Sequence, residues 1–186
     1  MDHYLDISIW PDPDMDELTP VSLMNALFAK LHRQLGRQGY GRVGVSFPAH
    51  GATLGHILRL HGTLPDLQSF MLADWRQGLK DLTRLGEISP VPAGARFRVV
   101  RRIQAKSAHN KRQRSIRKGW LTAPEALARI PDSQQKHLAK PYAELRSGSN
   151  GNLMRVYIEH GQLTDAPQAG VFSAYGLSGQ ATVPWF

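Results

Sequence analysis

The chain has 186 residues, 41% of them hydrophobic, enough for one large domain or two small ones around a packed core, which excludes a disordered chain. It has no cysteine, which removes disulfides, zinc–thiolate sites and a thiol nucleophile. The net charge of +8 is uneven: residues 1–95 hold 8 Lys and Arg against 10 Asp and Glu, and residues 96–186 hold 15 against 5. From Arg96 to Lys118 there are ten basic residues and no acid. A merely solvated surface mixes both signs, so this block predicts a polyanionic partner for the second half. No window approaches the ~18 uninterrupted apolar residues of a membrane span. The start, Met1-Asp2-His3, lacks the basic and apolar regions of a signal peptide. The expectation is a cytoplasmic protein with no membrane partner.

In chain order, residues 3–10 alternate as a strand, with Leu5, Ile7 and Ile9 on one face and Tyr4 and Asp6 on the other. Residues 11–17 read as a Pro- and Asp-rich loop. Asp12, Asp14 and Asp16 have calcium-loop spacing, but Glu17 replaces the required glycine and Leu23 stands where the bidentate glutamate belongs, which rejects calcium. Thr19-Pro20 opens a helix whose buried stripe is Leu23, Leu27, Leu31 and Leu35, and Gly36 and Gly39 mark its end. Residues 42–47 and 55–61 read as strands. A second helix starts at Leu64-Pro65-Asp66 and runs to about Leu72 or on toward Leu79, and residues 97–103 read as a further strand. The order β-α-β-β-α-β is that of a ferredoxin-like domain.

Beyond Ile103 the pattern changes. Ser107 is placed to cap a helix running to Lys118, in which Ile116 is the one strongly apolar residue, and Gly119 ends it. Thr122-Ala123-Pro124-Glu125 is a capping box for the next helix, and Asp132 is placed to cap another. Residues 142–146, 153–158 and 171–174 suggest strands, and the apolar end Val183-Pro184-Trp185-Phe186 predicts a terminus pinned to the core. The fold class is α+β, with a ferredoxin-like domain over residues 1–95 and a basic helix-containing α+β domain over residues 96–186, joined at a soft boundary.

Lys111, Arg114 and Lys118 fall on neighbouring turns with Arg117 beside them. Like charges at that spacing repel, so the helix is either a frayed arm or lies along nucleic-acid phosphates, and the charge argument favours the second. Arg102 and Gln104 share one side of an extended segment and carry the two side-chain types that pair with guanine and adenine edges, although such a pair is also ordinary solvent face. His32 stands at the edge of the leucine stripe, where part of the ring is covered and a nitrogen stays accessible; packing is the usual reason for such a histidine, and proton transfer is the other reading. His50, His56 and His61 lie in a glycine-rich turn and strand with no helpful carboxylate nearby, a poor metal set. The glycine-punctuated segments 146–151 and 175–179 are either plain turns or places where backbone approaches a ligand.

Several stretches together carry a resemblance. They are MDHYLDI at the start, FAKLH ending at His32, RVGVSFP at 42–48, RIQAKS at 102–107, ARIPDS at 128–133, LRSGSNG at 145–151, YGLS at 175–178 and the terminal VPWF. Across nearly the whole chain, and in the same order, they resemble the CRISPR repeat-processing endoribonucleases of type I-F systems. That resemblance implies a metal-independent, cofactor-free enzyme that cuts precursor RNA at the 3′ base of the repeat hairpin. It also implies that the enzyme stays bound to the product and joins the subunits of a crRNA-guided surveillance complex. The catalytic histidine falls by position on His32, the nucleophile-orienting serine on Ser147, a second active-site serine on Ser149 and the supporting tyrosine on Tyr175. Base reading falls on Arg102 and Gln104, and phosphate binding on the helix of Lys111, Arg114, Arg117 and Lys118. This chain departs from the family in a basic-helix segment one residue shorter. It also has Met154 where the family can place a phenylalanine stacked under the terminal base pair; methionine covers that surface without a flat π-face. A non-catalytic RNA-binding ribonucleoprotein subunit is the alternative.

Overall fold

The computed structural model describes residues 1–10, 19–39, 41–104, 108–132, 138–146 and 151–186. They form two compact units, Met1–Arg102 with Lys140–Phe186, and Ile103–Ala139. The loop read over residues 11–17 lies outside the described residues, as do the Ser107 cap and the helix expected after Asp132.

The first unit opens with β1 (His3–Ile9), α1 (Pro20–Gln38), β2 (Gly44–Ser46), β3 (Ile57–Gly62), α2 (Leu64–Met71), β4 (Thr83–Leu85) and β5 (Ser89–Pro90). β1 lies mid-sheet, antiparallel to β3 on one side and to β4 and β5 on the other, with β2 beyond β3. The order β2-β3-β1-β4 with two intervening helices is the ferredoxin-like arrangement. Its closing strand is β4, not residues 97–103 as the sequence suggested. β4 has three residues set among turns, too short to alternate visibly. The longer β6 (Arg96–Ile103) enters a second sheet with β7 (Tyr142–Arg146), β8 (Leu153–His160) and β9 (Thr182–Trp185), in the order β7-β8-β6-β9.

β9 was not foreseen, and the strand expected at 171–174 is irregular chain. Pro184 hides β9 from a propensity reading, yet β9 is an edge strand, where a missing N–H is tolerated. α2 also stops at Met71 rather than running toward Leu79.

α1 forms as its pattern dictates. The Thr19 hydroxyl accepts from the Ser22 N–H, Pro20 occupies the first turn, and all four stripe leucines are at most 2% exposed. They join one core drawn from both sheets, including Leu5, Ile7, Leu60, Val100, Leu145, Ile158 and Val183. At its margin Arg59 makes a forked pair with Asp6 at 2.7 and 2.9 Å, between the rings of Tyr4 and Phe186. Arg59 also donates to the Phe186 carbonyl, so the final residue is pinned as its sequence predicts.

The second unit contains α3 (Ala108–Arg117) packed against α4 (Ala123–Arg129). α4 starts with the predicted capping box, Thr122 and Glu125 each satisfying the other's backbone N–H. No helix among the described residues is long and apolar enough to cross a membrane.

Candidate active site

α1 presents His32 beside its buried stripe, half-buried, as the helical angle requires. Its Nδ1 lies 2.8 Å from the carbonyl oxygen of Ala174, and its ring stacks on Tyr175 with centroids 4.0 Å apart and planes within 3°. A carbonyl can only accept, so Nδ1 carries the proton and the lone pair of the neutral ring sits on Nε2. One backbone bond and one aromatic face thus fix the tautomer and the plane of the imidazole.

The loop that supplies both contacts is itself constrained. Gly176 has φ +68°, its carbonyl accepts from the Val45 N–H at 2.8 Å, and a Cβ there would run into the Val45 side chain. The Ser173 hydroxyl accepts from the Tyr175 N–H, and the Tyr175 ring also meets Phe28 from α1. The glycine therefore serves close packing as well as the turn.

His32 and Tyr175 line a cleft of about 640 Å³ with Asn25, Arg33, Arg146 and Met154. Met154 on β8 pairs across the sheet with Leu145, packs half-buried against the core, and so reaches the same cleft as His32. Ser147 and Ser149 lie outside the described residues; Arg146 and Leu153 to either side of them line the cleft. Sequence reasoning missed Asn25, whose Oδ1 accepts from the Glu144 N–H and so ties α1 to β7 at the cleft wall. It also missed Arg33. The signal for both was their spacing on the His32 helix.

Arg102 stands near the end of β6 with its guanidinium carbon 5.2 Å from the Tyr175 ring centre. Its Nε is shielded from solvent and has no partner among the described residues, so a donor remains open. Gln104 is exposed, one residue beyond the strand.

In the second unit Arg114, Arg117 and Lys118 are exposed and Lys111 is half-buried. Lys118 covers the Trp120 ring at 4.8 Å. Among the described residues the counter-charge that the basic helix needs is given only to Arg112, which donates to the Ile130 carbonyl and the Asp132 carboxylate and ties α3 to the end of α4. None of the three exposed cations has an acidic partner among the described residues.

Three further histidines, His50, His61 and His160, are used for packing. Complete burial, assisted by Arg59, pushes His61 down to about 3, and its Nε2 bonds the Ser46 hydroxyl at 2.8 Å. Burial, then His50 and Arg98, pushes His160 down to about 3, and His50 stacks on it at 3.6 Å. Among the described residues no three His, Asp or Glu side chains gather as metal ligands.

Residues 4–186 match the family model described as CRISPR-associated protein (Cas_Csy4). The chain is 44% identical over 187 residues to the CRISPR-associated endonuclease Cas6/Csy4 of Escherichia coli (strain UTI89 / UPEC), covering all of both chains. It is 43% identical over 190 residues to the protein of the same name from Pseudomonas aeruginosa (strain UCBPP-PA14), again end to end. A histidine held by its partner loop, a basic helix and similarity along the full length agree: the chain belongs to the Cas_Csy4 family, the repeat-processing endoribonucleases of type I-F CRISPR systems.

Proposed function

We propose that this protein is a hairpin-specific endoribonuclease that matures CRISPR precursor RNA by metal-independent transesterification and keeps hold of its product. The observation that carries the reading is the His32 arrangement. With Nδ1 donating to the Ala174 carbonyl and the ring stacked on Tyr175, Nε2 is left as a fixed base in a cleft wide enough for a nucleotide.

RNA brings its own nucleophile. Nε2 takes the proton of the 2′-hydroxyl preceding the scissile phosphate, O2′ forms a bond to phosphorus, and the bond from phosphorus to O5′ breaks. The departing oxygen takes up a proton from the imidazolium or from water. The products are a 2′,3′-cyclic phosphate and a 5′-hydroxyl. Ser147 and Ser149 enter through the family resemblance, as groups that orient the 2′-hydroxyl and a phosphate oxygen. The unpartnered Nε of Arg102, with Gln104, suits base-edge contacts, and Arg114, Arg117 and Lys118 suit phosphates. Met154 would cover the terminal base pair. Retention of the cut hairpin is what would make the protein a stable member of a crRNA-guided complex with other subunits in the cytoplasm.

The test uses the cognate repeat hairpin. His32→Ala should lower the cleavage rate by ~10²–10⁴-fold or more while hairpin affinity stays nearly constant. A substrate with one 2′-deoxy nucleotide before the scissile phosphate should bind and remain uncut, and excess EDTA should leave the wild-type rate unchanged. Cleavage of the deoxy substrate, or strong inhibition by EDTA, would remove the mechanism. Tight binding by a wild-type protein that never cuts would leave a non-catalytic ribonucleoprotein subunit.

A further inference from the structure

α1 carries a second set of side chains that the chemistry at His32 does not use. Lys30, Arg33 and Arg37 recur at helical spacing along one stripe, Arg33 and Arg37 exposed and Lys30 half-buried, and the helix contains no acid. None of the three has a hydrogen-bond or ion-pair partner among the described residues. They line a cleft of about 200 Å³ with Asp74 and Trp75. Asp74 is already neutralised by Lys80 at 2.8 Å, so the cleft remains positive. Trp75 is 7% exposed, and its indole N–H has no acceptor among the described residues. Three free cations and a buried donor without an acceptor describe a place that lacks an anionic, oxygen-bearing ligand.

Arg33 also lines the His32 cleft, so the stripe continues out of the place where the bond is cut. An endonuclease cuts an internal bond, and its RNA must continue past the scissile phosphate on both sides. If the hairpin stem lies on one side, the other is single-stranded. From Lys30 to Arg37 the helix rises ~10 Å, a reach of roughly two or three phosphates of one strand.

We infer that Lys30, Arg33 and Arg37 form a phosphate track for the single-stranded RNA on the 3′ side of the cleavage point. This rests on the endoribonuclease reading above and extends it from the hairpin to its flank. The track positions the strand that leaves and is emptied by the cut. The protein thereby binds uncut precursor more tightly than product at this one place, while its grip on the hairpin persists.

The test measures affinity for two hairpins, each blocked by a 2′-deoxy nucleotide at the cleavage point. One ends just past the scissile phosphate and the other continues for about six nucleotides. Wild type should bind the longer RNA about 3–10-fold more tightly. Lys30→Gln with Arg37→Gln should erase that gain and leave the short RNA unaffected. It should also reduce the log–log salt slope of the longer RNA by ~1.4, or ~0.7 for each phosphate that is no longer neutralised. Arg37→Glu alone, on an exposed side chain, should act in the same direction if the double variant melts early. Absence of a gain in wild type, a gain retained in both variants, or a gain for a 5′ extension instead would overturn the inference. A retained gain would assign the stripe to an acidic protein surface. Cleavage of the unblocked hairpins by wild type separates the two levels. If both the short and the longer unblocked hairpins stay uncut, the endoribonuclease reading fails and takes the track with it; if they are cut and the longer RNA gains no affinity, only the track fails.

Discussion

α1 and α3 both carry the residues on which function is read, but they are supported in opposite ways. α1 buries seven of its residues, and the histidine proposed for catalysis stands beside a row of fully packed leucines. α3 buries only Ala108, and the residue facing it from α4 that is buried is again an alanine, Ala126. Two alanines hide little apolar surface, so among the described residues α3 and α4 are held largely by polar ties: the Thr122–Glu125 box and the Arg112 bridge to Ile130 and Asp132. The proposed chemistry, which depends on ångström placement, is assigned to the packed element. The proposed charge recognition, which works over a Debye length, is assigned to the lightly packed one.

The largest way to break this contrast is to open the core beneath α1. Phe28 is fully buried and touches both Phe47 and Tyr175. Phe28→Ala should lose ~3–5 kcal/mol of stability and loosen the Tyr175 face that holds His32. Chemical denaturation should register the loss, and single-turnover cleavage should slow even at temperatures where the variant stays folded. Unchanged cleavage in a destabilised variant would show that the imidazole is held by the Ala174 bond alone.

Acid should strike the same unit. His61 and His160 are pushed to about 3 in the folded chain, against ~6.5 in an unfolded one. Below about pH 6.5 the unfolded chain takes up protons that the folded chain refuses. The stability present above that pH is therefore lost progressively as pH falls toward 3. For His61 alone the slope is ~1.4 kcal/mol per pH unit, and His160 acts in the same direction. Urea midpoints from pH 7 to pH 4 measure it, and a flat profile would mean that both rings take up protons in place.

The smallest expected effects separate two kinds of contact. Arg102→Ala should cost ~1–3 kcal/mol of affinity for the cognate hairpin and relax preference at one base pair. Arg114→Ala or Lys118→Ala should instead weaken all hairpins alike and flatten the salt dependence. Equal losses on cognate and scrambled stems for every variant would erase the distinction between reading and gripping.

The contrast also governs what could be read from the residues. The leucine row of α1 was legible because 3.6-residue periodicity is local, and the Thr122–Glu125 box because a cap spans four residues. His32 was visible as a boundary residue, but its hold was not. Ala174 and Tyr175 lie more than 140 positions away, in a loop where no periodicity applies, and only the family resemblance pointed to the tyrosine. The stacking of His50 on His160 was invisible for the same reason. β4 and β9 escaped because three or four residues, one of them a proline, carry no alternation, and their strand character comes from the partners that flank them.

The way the second unit is threaded has a consequence for how such proteins change. Residues 103–139 leave β6 and return to β7, and both strands belong to one sheet. The helical unit is thus an excursion between two fixed anchor points. The entropy of closing such an excursion grows only with the logarithm of its length, so a doubling costs only ~0.6 kcal/mol. A change in the length of α3 therefore costs little in chain closure. On the proposed division of labour, the RNA-gripping helix is the part whose length can be edited at least cost to the chain.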